Sequence, residues 1–170
     1  MKQHFRMFAH YNRWANARLY DACALLGDDD YRIDLGAFFG SIYRTLNHIL
    51  VADRIWMRRF TGEGDLPASL DSIVAEDFDL LRVAREEEDE RIVDWIDDIP
   101  DHAMSGRFTY TTVTDMRTIS QHLAPALAHF FNHQTHHRGQ AHAMLTRLGE
   151  DVPPLDLIYF LRVAEGREFA

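Results

Sequence analysis

Apolar residues recur every three to four positions through most of this chain, and glycine or proline follows the periodic stretches. In residues 4–26, for example, Phe8, Tyr11 and Ala15 keep the α-helical repeat, and Gly27 comes directly after the last apolar residue. A repeat of this period predicts an amphipathic helix that buries one face, and glycine commonly ends such a helix. The pattern therefore restricts the chain to an all-α fold whose helices pack their apolar faces together.

The same spacing predicts four long helices and a short fifth. Their ranges are residues 4–26, 38–60, 69–99, 119–148 and 156–164. Ser69 is the predicted N-cap of the third helix and Pro100 stops it, while Gly149 ends the fourth. Pro125 marks either a later start of the fourth helix or a kink in it. We therefore expect a four-helix bundle, formed by residues 1–170 as one domain, with a short extra C-terminal helix that caps it.

Other segments have their own interpretation. Residues 28–30, three aspartates, are predicted to form a solvated turn, because their flanks lack the calcium-loop pattern. Residues 86–90 are predicted to be the wet side of the third helix, since consecutive helical positions diverge by ~100° and cannot converge on a metal ion. Ile73 belongs to the predicted buried face of that helix. Residues 108–113 are β-branched and aromatic, which favours a short hairpin or an irregular loop.

Charge and cysteine content exclude several classes of protein. The net charge is −9 and no cluster of Lys and Arg is present, which argues against a nucleic-acid partner. Cys23 is the only cysteine, so neither an intrachain disulfide nor a cysteine-based zinc site can form. Residues 1–15 lack the apolar core of a signal peptide, and no apolar run is long enough to span a bilayer. We therefore expect a cytoplasmic protein without a membrane partner.

Histidine is the unusual residue of this composition. The chain has ten, and five of them lie between His122 and His137. At ~100° per residue, with His129 set to zero, His133 falls near ~40° and His137 near ~80°, inside the apolar stripe of the fourth helix. Two imidazoles on successive turns of one helical face can share a metal ion.

A third ligand should come from a facing helix, because two ligands seldom suffice. The second predicted helix has one histidine, His48, in an apolar neighbourhood where a polar ring needs a partner. Three imidazoles suit zinc, nickel, copper or iron and leave a coordination position open, as in catalytic sites. The alternative is a set of hydrogen-bonded core histidines without metal. His129 is the candidate general base or ligand-orienting group, and four others are assigned to the surface or to supporting positions: His4, His10, His102 and His142.

Further residues near these histidines have open interpretations. Asp53 either orients an imidazole or pairs with an arginine. Arg138 and Gly139 are assigned a structural role, in which Arg138 can pair with an acid and Gly139 allows close approach of another helix. Trp14 and Trp56 are assigned to the core and not to a substrate platform.

Several segments resemble one known family. Residues 129–140, which read His-Phe-Phe-Asn-His-Gln-Thr-His-His-Arg-Gly-Gln, resemble the signature helix of the DinB/YfiT family of bacterial proteins. Residues 11–16 are similar to the first helix of that family, residues 41–56 to its second, and residues 149–157 to the segment after its fourth. The resemblance thus covers nearly the whole chain.

The resemblance implies a fold, a metal and an assembly. The fold is a four-helix bundle with a variant of up-and-down topology, commonly assembled as a homodimer. The metal is a divalent ion, often nickel or zinc, on one histidine of the second helix and two of the fourth, which here are His48, His133 and His137. Characterised relatives include S-transferases that use the low-molecular-weight thiols bacillithiol or mycothiol, and a mycothiol-dependent isomerase. The family name reflects induction by DNA damage, a stress response.

Three functions stay open at this point. The first is a metalloenzyme that acts on a small-molecule substrate, either as a thiol-dependent S-transferase or as a hydrolase that uses hydroxide. The second is a non-catalytic, stress-related binder of a metal or small ligand, which would be favoured by a fully coordinated metal or by a site sealed by Phe130, Phe131 and Trp56. The third is a structural dimer whose histidines hold no metal.

Overall fold

A computed structural model describes residues 1–112 and 115–170 of the chain. The α-helices are α1 (Lys2–Cys23), α2 (Asp28–Arg32), α3 (Ile42–Thr61), α4 (Phe78–Asp98), α5 (Leu123–Leu148) and α6 (Leu157–Phe160). Two 3-10 helices cover Asp101–Ser105 and Ala164–Phe169, and one hairpin joins strands β1 (Arg107–Thr111) and β2 (Thr118–His122). The predicted all-α class is confirmed, with this small hairpin as its β-structure.

The four long helices pack in a ring. Helix α1 packs against α4 and α5, and α3 packs against the same two helices, so α1 and α3 lie across the ring from each other. Two apolar clusters fill its ends. The upper cluster includes Leu19, Ile42, Leu46, Leu81 and Leu145, and the lower cluster includes Phe5, Met57, Ile92, Leu127 and Phe130.

The order of these clusters along each helix gives its direction. Helices α1 and α5 meet the lower cluster first, whereas α3 and α4 meet the upper cluster first. Because α3 and α4 therefore run the same way, the linker of residues 62–77 between them has to return along the length of the ring. This return path brings the linker past the middle of α3.

A layer of buried polar side chains separates the two apolar clusters. We call it the polar layer; it consists of Asn12, Asn16, Asp53, Arg85, Asp89, Gln134 and Arg138. Arg85 donates to Asp53 over 2.6 Å and lies 3.1 Å from Asp89. Asn16 links the layer further, since it donates to Asp89 over 3.0 Å and accepts from Arg138 over 3.2 Å. All four long helices contribute, so the layer fixes their relative register.

The structure corrects the interpretation of residues 28–30. They form the first turn of helix α2, with Gly27 as its N-cap, and α1 already ends at Cys23. The aspartates are exposed, as expected for a solvated segment. Carboxylates at a helix N-terminus are favourable because they face its positive end, and Arg32 bonds back to Asp28 over 2.8 Å.

Helix α3 starts later than the sequence predicts. Ser41 is its N-cap and accepts a hydrogen bond from the Arg44 amide at 3.2 Å. The helix therefore does not begin near residue 38. Gly40 precedes this cap with a φ of 80°, a conformation that glycine adopts without strain. Residues 38–40 therefore lie outside the helix, in the turn that leads into it.

The predicted start of the third long helix at Ser69 is wrong. Helix α4 begins at Phe78, where Asp77 is the N-cap and accepts from the Leu80 amide at 3.0 Å. The Ser69 hydroxyl instead donates to Asp71 within the linker. Ile73, predicted to be buried in that helix, lies in the linker and is 39% exposed.

The wet-side prediction for residues 86–90 is wrong at two positions. Glu88 and Asp89 are buried, at 6% and 3% exposure. Each has a basic partner: Glu88 accepts from Arg91 over 3.0 Å, and Asp89 pairs with Arg85. A buried carboxylate is tolerated when such partners satisfy it.

The segment before α5 forms a hairpin. The sequence of residues 108–113 had left open a short hairpin or an irregular loop. Strands β1 and β2 pair antiparallel, with Arg107 opposite His122 and Thr111 opposite Thr118. Val113, the last residue of the predicted extended segment, lies outside the described residues. Helix α5 consequently starts at Leu123 and not at position 119, which puts Pro125 in its first turn, where its missing N–H breaks no helical hydrogen bond.

The C-terminal segment packs against α1, on one side of the ring. The predicted helix of residues 156–164 is shorter, spanning Leu157–Phe160, and a 3-10 helix follows. Phe160 is fully buried against Tyr11 and Ala15 of α1. Within residues 1–112 and 115–170, no helix combines the length and the apolar character that crossing a bilayer would need.

Candidate metal centre

His48 lies in the second turn of α3 with its ring orientation fixed. The residue is 5% exposed, and its Nδ1 lies 2.8 Å from the backbone carbonyl oxygen of Leu70 in the linker. Because a carbonyl oxygen can only accept, Nδ1 carries the proton and donates it to Leu70. The Nε2 atom of His48 therefore keeps a free lone pair.

The neighbouring residue, Asn47, holds the linker in this position. Its side chain is fully buried, and its Oδ1 accepts from the amides of Val74 and Ala75 at 2.7 Å and 3.1 Å. Its Nδ2 donates to the carbonyls of Ala75 and Tyr43. One amide side chain thus satisfies four backbone groups and attaches the linker to α3 next to His48.

His133 and His137 lie on successive turns of α5. Their ring centroids are 4.4 Å apart, and His137 is 7% exposed while His133 is half-buried. Nδ1 of His137 donates to Oε1 of Gln140 over 2.8 Å, so Nε2 of His137 is also left with a lone pair. The burial predicted from the apolar stripe of this helix is confirmed for His137, whereas His133 is buried only in part.

The three rings meet between α3 and α5. His48, His133 and His137 each offer a nitrogen, and these atoms all lie within 4.8 Å of one another. Among the residues that the structure describes, this is the one group of three or more His, Cys, Asp or Glu side chains whose donor atoms converge in this way. The Nε2 atoms of His48 and His133 are 3.4 Å apart. Two nitrogens bound to a tetrahedral zinc ion at about 2.0–2.1 Å would be about 3.3 Å apart.

The environment keeps these imidazoles neutral. Burial, together with the neighbouring rings of His137 and His48, lowers the pKa of His133 to about 3. Burial also lowers the pKa of His48, although the hydrogen bond to Leu70 opposes this, and the pKa of His137. Metal ions bind the neutral, unprotonated ring nitrogen, so the donor set fits a divalent ion of the zinc or nickel type.

A hydrogen bond without metal accounts for part of this geometry. If Nε2 of His133 carries a proton, it can donate to Nε2 of His48. That arrangement leaves the lone pair on Nε2 of His137 without a role. Three donors that converge are thus better explained by a shared ion than by one hydrogen bond.

An open cleft leads to two of the three histidines, His48 and His137. It has a volume of about 500 Å³, and its lining includes His48, His137, Phe39 and Leu70. The Phe39 ring stacks on His48, with ring centroids 3.9 Å apart and an angle of 25° between the planes. Phe130 and Phe131 belong to the lower cluster and do not line this cleft, so they do not seal the site in the way that would favour the binder interpretation.

His129 lies beside the three rings and outside their group. It is exposed, and its ring is 5.2 Å from that of Trp56 and 5.9 Å from that of His133. Trp56 and Trp14 are partly buried against core clusters, in agreement with their core assignment. The other predicted surface histidines are exposed or half-buried and none joins the group: His4, His10, His102 and His142.

The residues that follow the ligands in sequence belong to the polar layer. Asp53 pairs with Arg85, which is the second of its two predicted roles, and it also accepts from Gln134. Arg138 donates to the amide oxygens of Asn12 and Asn16 and not to an acid as predicted. The role predicted for Gly139 is also wrong, because a Cβ there would meet nothing within 4 Å.

From the sequence, no role in the site was assigned to Gln140, Phe39 or Leu70. Phe39 was assigned to the predicted helix of residues 38–60. Leu70 was assigned to the predicted helix of residues 69–99, where its carbonyl would accept a backbone hydrogen bond within that helix. A signal for Phe39 was available, since Gly40 followed by Ser41 is a typical helix-start pattern. No sequence signal identifies the Leu70 carbonyl, because every residue has one.

Two comparisons with known proteins complete the description of the site. The model of the DinB family matches residues 1–168 of the chain. Protein DinB of Bacillus subtilis (strain 168) is 26% identical over 166 residues, which cover 92% of this chain and 92% of that protein.

Proposed function

The chain belongs to the DinB family, and we propose that it is a metalloenzyme whose divalent ion is held by His48, His133 and His137. The convergence of three neutral imidazoles at the end of an open cleft carries this proposal. Three protein ligands suit a catalytic site, because structural zinc sites use four. Zinc or nickel is the metal that this donor set suits best.

As a Lewis acid, the bound ion would supply activation of a water or thiol nucleophile at neutral pH. The chain's own groups prepare the centre. The Leu70 carbonyl and the Gln140 amide accept the Nδ1 protons of His48 and His137, which fixes both rings with Nε2 available. Phe39 covers one face of His48 and limits the access of bulk water to it.

Two reactions fit such a centre. In an S-transferase, a low-molecular-weight thiol attacks a small electrophile; in a hydrolase, water takes that place. The thiol reaction is the one we propose first, because the family resemblance favours it. His129, exposed and 5.9 Å from the His133 ring, is the candidate for accepting a proton from the nucleophile.

Metal analysis tests the first part of the proposal. Purified protein without an affinity tag, reconstituted with zinc or nickel, should hold about one ion per chain, and the double variant His133→Ala, His137→Ala should hold none. The matched control, His102→Ala with His142→Ala, removes two histidines outside the group and should keep the ion. Absence of metal from the reconstituted parent protein would end the proposal.

Activity measurements test the second part. The loaded protein is incubated with a reporter electrophile and bacillithiol, mycothiol or glutathione, and consumption of the electrophile is followed. We expect a rate that requires one of the thiols and rises in proportion to metal content. A rate that needs metal but no thiol would indicate the hydrolase, and no rate with any combination would favour a non-catalytic binder. The homodimer and the cytoplasmic location stay predictions.

A further inference from the structure

The walls of the cleft are apolar at the point where it opens. Phe38 is 82% exposed, which is unusual for a phenylalanine, and Leu70 is 46% exposed. The rings of Phe38 and Phe39 form an edge-to-face pair with centroids 4.9 Å apart. Together with Phe39 on His48, this makes a continuous aromatic surface from the solvent to the histidine group. Exposed aromatic surface beside a pocket is typical of ligand contact.

The charge of the cleft is negative. Of its lining residues in the described part of the chain, none is Lys or Arg, and one, Asp71, is an acid. The Ser69 hydroxyl donates to Asp71 over 2.6 Å and lowers the pKa of this carboxyl, so Asp71 is ionised at neutral pH. Arg44 also lowers this pKa but does not line the cleft. With a net charge of −9 on the chain, an anionic ligand is repelled at this entrance.

The size of the cleft limits the ligand as well. A volume of about 500 Å³ lies within the range of pockets that hold small organic molecules. The polar lining groups beside the histidine group are His136 and Gln140. A ligand can therefore lie with its body on the aromatic wall and its polar, reactive end toward the histidines.

We propose that this cleft selects a small aromatic or apolar molecule without negative charge and presents its reactive end to His48 and His137. The inference rests on the proposed function, because it names the substrate class of the same site. It also separates the candidate thiols by charge: a thiol that carries carboxylates is disfavoured here relative to an uncharged one.

A second copy of the chain is the competing occupant of the aromatic surface. Phe38 could be covered in a homodimer, in which case its exposure would say nothing about substrate. The charge favours the small molecule, since a symmetric interface on this surface would bury the Asp71 carboxylate of both copies. The oligomeric state of a Phe38 variant distinguishes the two occupants.

A matched pair of fluorescent probes tests the proposal without turnover. N-phenyl-1-naphthylamine is neutral, and 1-anilinonaphthalene-8-sulfonate has the same ring system with a sulfonate added. We expect the neutral probe to bind the full-length protein at least about tenfold more tightly, because the anion would be desolvated beside Asp71 without a cationic partner. Phe38→Ala should weaken binding of the neutral probe by about three- to tenfold.

Two further variants make the result specific to the cleft. Leu25→Ala removes an equally exposed apolar side chain, 76% exposed and outside the cleft, and should leave both affinities unchanged. Asp71→Asn should bring the affinities of the two probes closer together by strengthening binding of the sulfonate. Thermal unfolding of each variant checks that it is folded.

Three results would overturn the inference: equal or tighter binding of the sulfonate, a Phe38→Ala variant that behaves like Leu25→Ala, or conversion of a dimer into a monomer by Phe38→Ala. Metal content is recorded on the same samples. Probe selectivity in a protein that never takes up metal would refute the metalloenzyme and leave the cleft assignment in place. Metal binding without probe selectivity would refute the cleft assignment and leave the metalloenzyme proposal in place.

Discussion

Gln140 Oε1 lies 2.8 Å from Nδ1 of His137, one turn earlier on the same helix, and accepts the ring proton. The Nε2 atom of the same amide lies 3.3 Å from Nε2 of His136, which holds the amide in one orientation. The side chain therefore determines both the tautomer and the rotation of His137. A ring fixed in this way presents its free nitrogen to the group before any ion arrives.

We expect Gln140→Ala to lower zinc affinity by about ten- to a hundredfold, because the ring of His137 loses the acceptor that orients it. Competition with a chelator of known affinity measures this. Gln140→Glu should retain most of the affinity, since a carboxylate also accepts the Nδ1 proton. Gln3→Ala, at an exposed glutamine of α1, is the control; a Gln140→Ala protein that binds zinc as well as this control would contradict the assigned role.

Asn47→Ala should release the linker from α3. Backbone groups of Val74 and Ala75 lose their partner, and we expect a loss of about 2–4 kcal/mol in the free energy of unfolding. Urea denaturation measures this, and proteolysis should cut the folded variant within residues 62–77. Asn47→Asp keeps the hydrogen-bond acceptor but not the donors, so its free energy of unfolding should lie between those of the parent protein and Asn47→Ala. Asn132→Ala, an exposed asparagine of α5, should change stability little; equal stability of the Asn47 and Asn132 variants would argue against the clamp.

The ion pair of Asp53 and Arg85 should be sensitive to the loss of one partner. Both side chains are almost completely buried, at 1% and 2% exposure. Asp53→Ala leaves the two guanidinium groups of the polar layer with one carboxylate, Asp89, and this excess buried charge should cost about 3–5 kcal/mol of unfolding free energy. The double variant Asp53→Leu, Arg85→Met should be much less destabilised. Asp21→Ala breaks an exposed pair with Arg82 and should change stability by less than about 1 kcal/mol. If the single and double variants at Asp53 and Arg85 are equally unstable, the buried charge is not the cause.

Cys23 should be chemically inert in the folded protein. It is 2% exposed, and burial raises the pKa of its thiol to about 12. The thiolate is the reactive form, so a disulfide reagent at pH 8 should label the native chain only as fast as it unfolds. Addition of denaturant should raise the rate sharply. Fast labelling of the native protein, unaffected by denaturant, would show that the thiol is accessible and that Cys23 could take part in thiol chemistry.

The sequence predicted the parts of the structure that have a regular period. The rotation of about 40° between His133 and His137 follows from helix geometry alone, and their burial could therefore be predicted. His48 could be added because an apolar helix facing this pair contained one histidine. These predictions use the same rule, that a helix buries one face.

Irregular segments could not be predicted in this way. The linker of residues 62–77 has no period, and its apolar residues were therefore read as a continuation of the following helix, beginning at Ser69. Its actual course is determined by the parallel direction of α3 and α4, a property of the tertiary fold. The burial of Glu88 and Asp89 was missed for a similar reason: charged residues are buried only when partners on other helices satisfy them, and those partners cannot be identified before the helices are packed.

The return path of the linker also has a kinetic meaning. His48 meets the Leu70 carbonyl over 22 residues of sequence, whereas it meets His133 over 85. Closing a shorter loop costs less chain entropy, so we expect the contact with Leu70 to form before the contact with His133. Half of the centre would then be assembled locally around α3, and the other half would be added when α5 docks. An ion that needs both halves would act after the rate-limiting collapse, so it would lengthen the lifetime of the folded chain without making it fold faster.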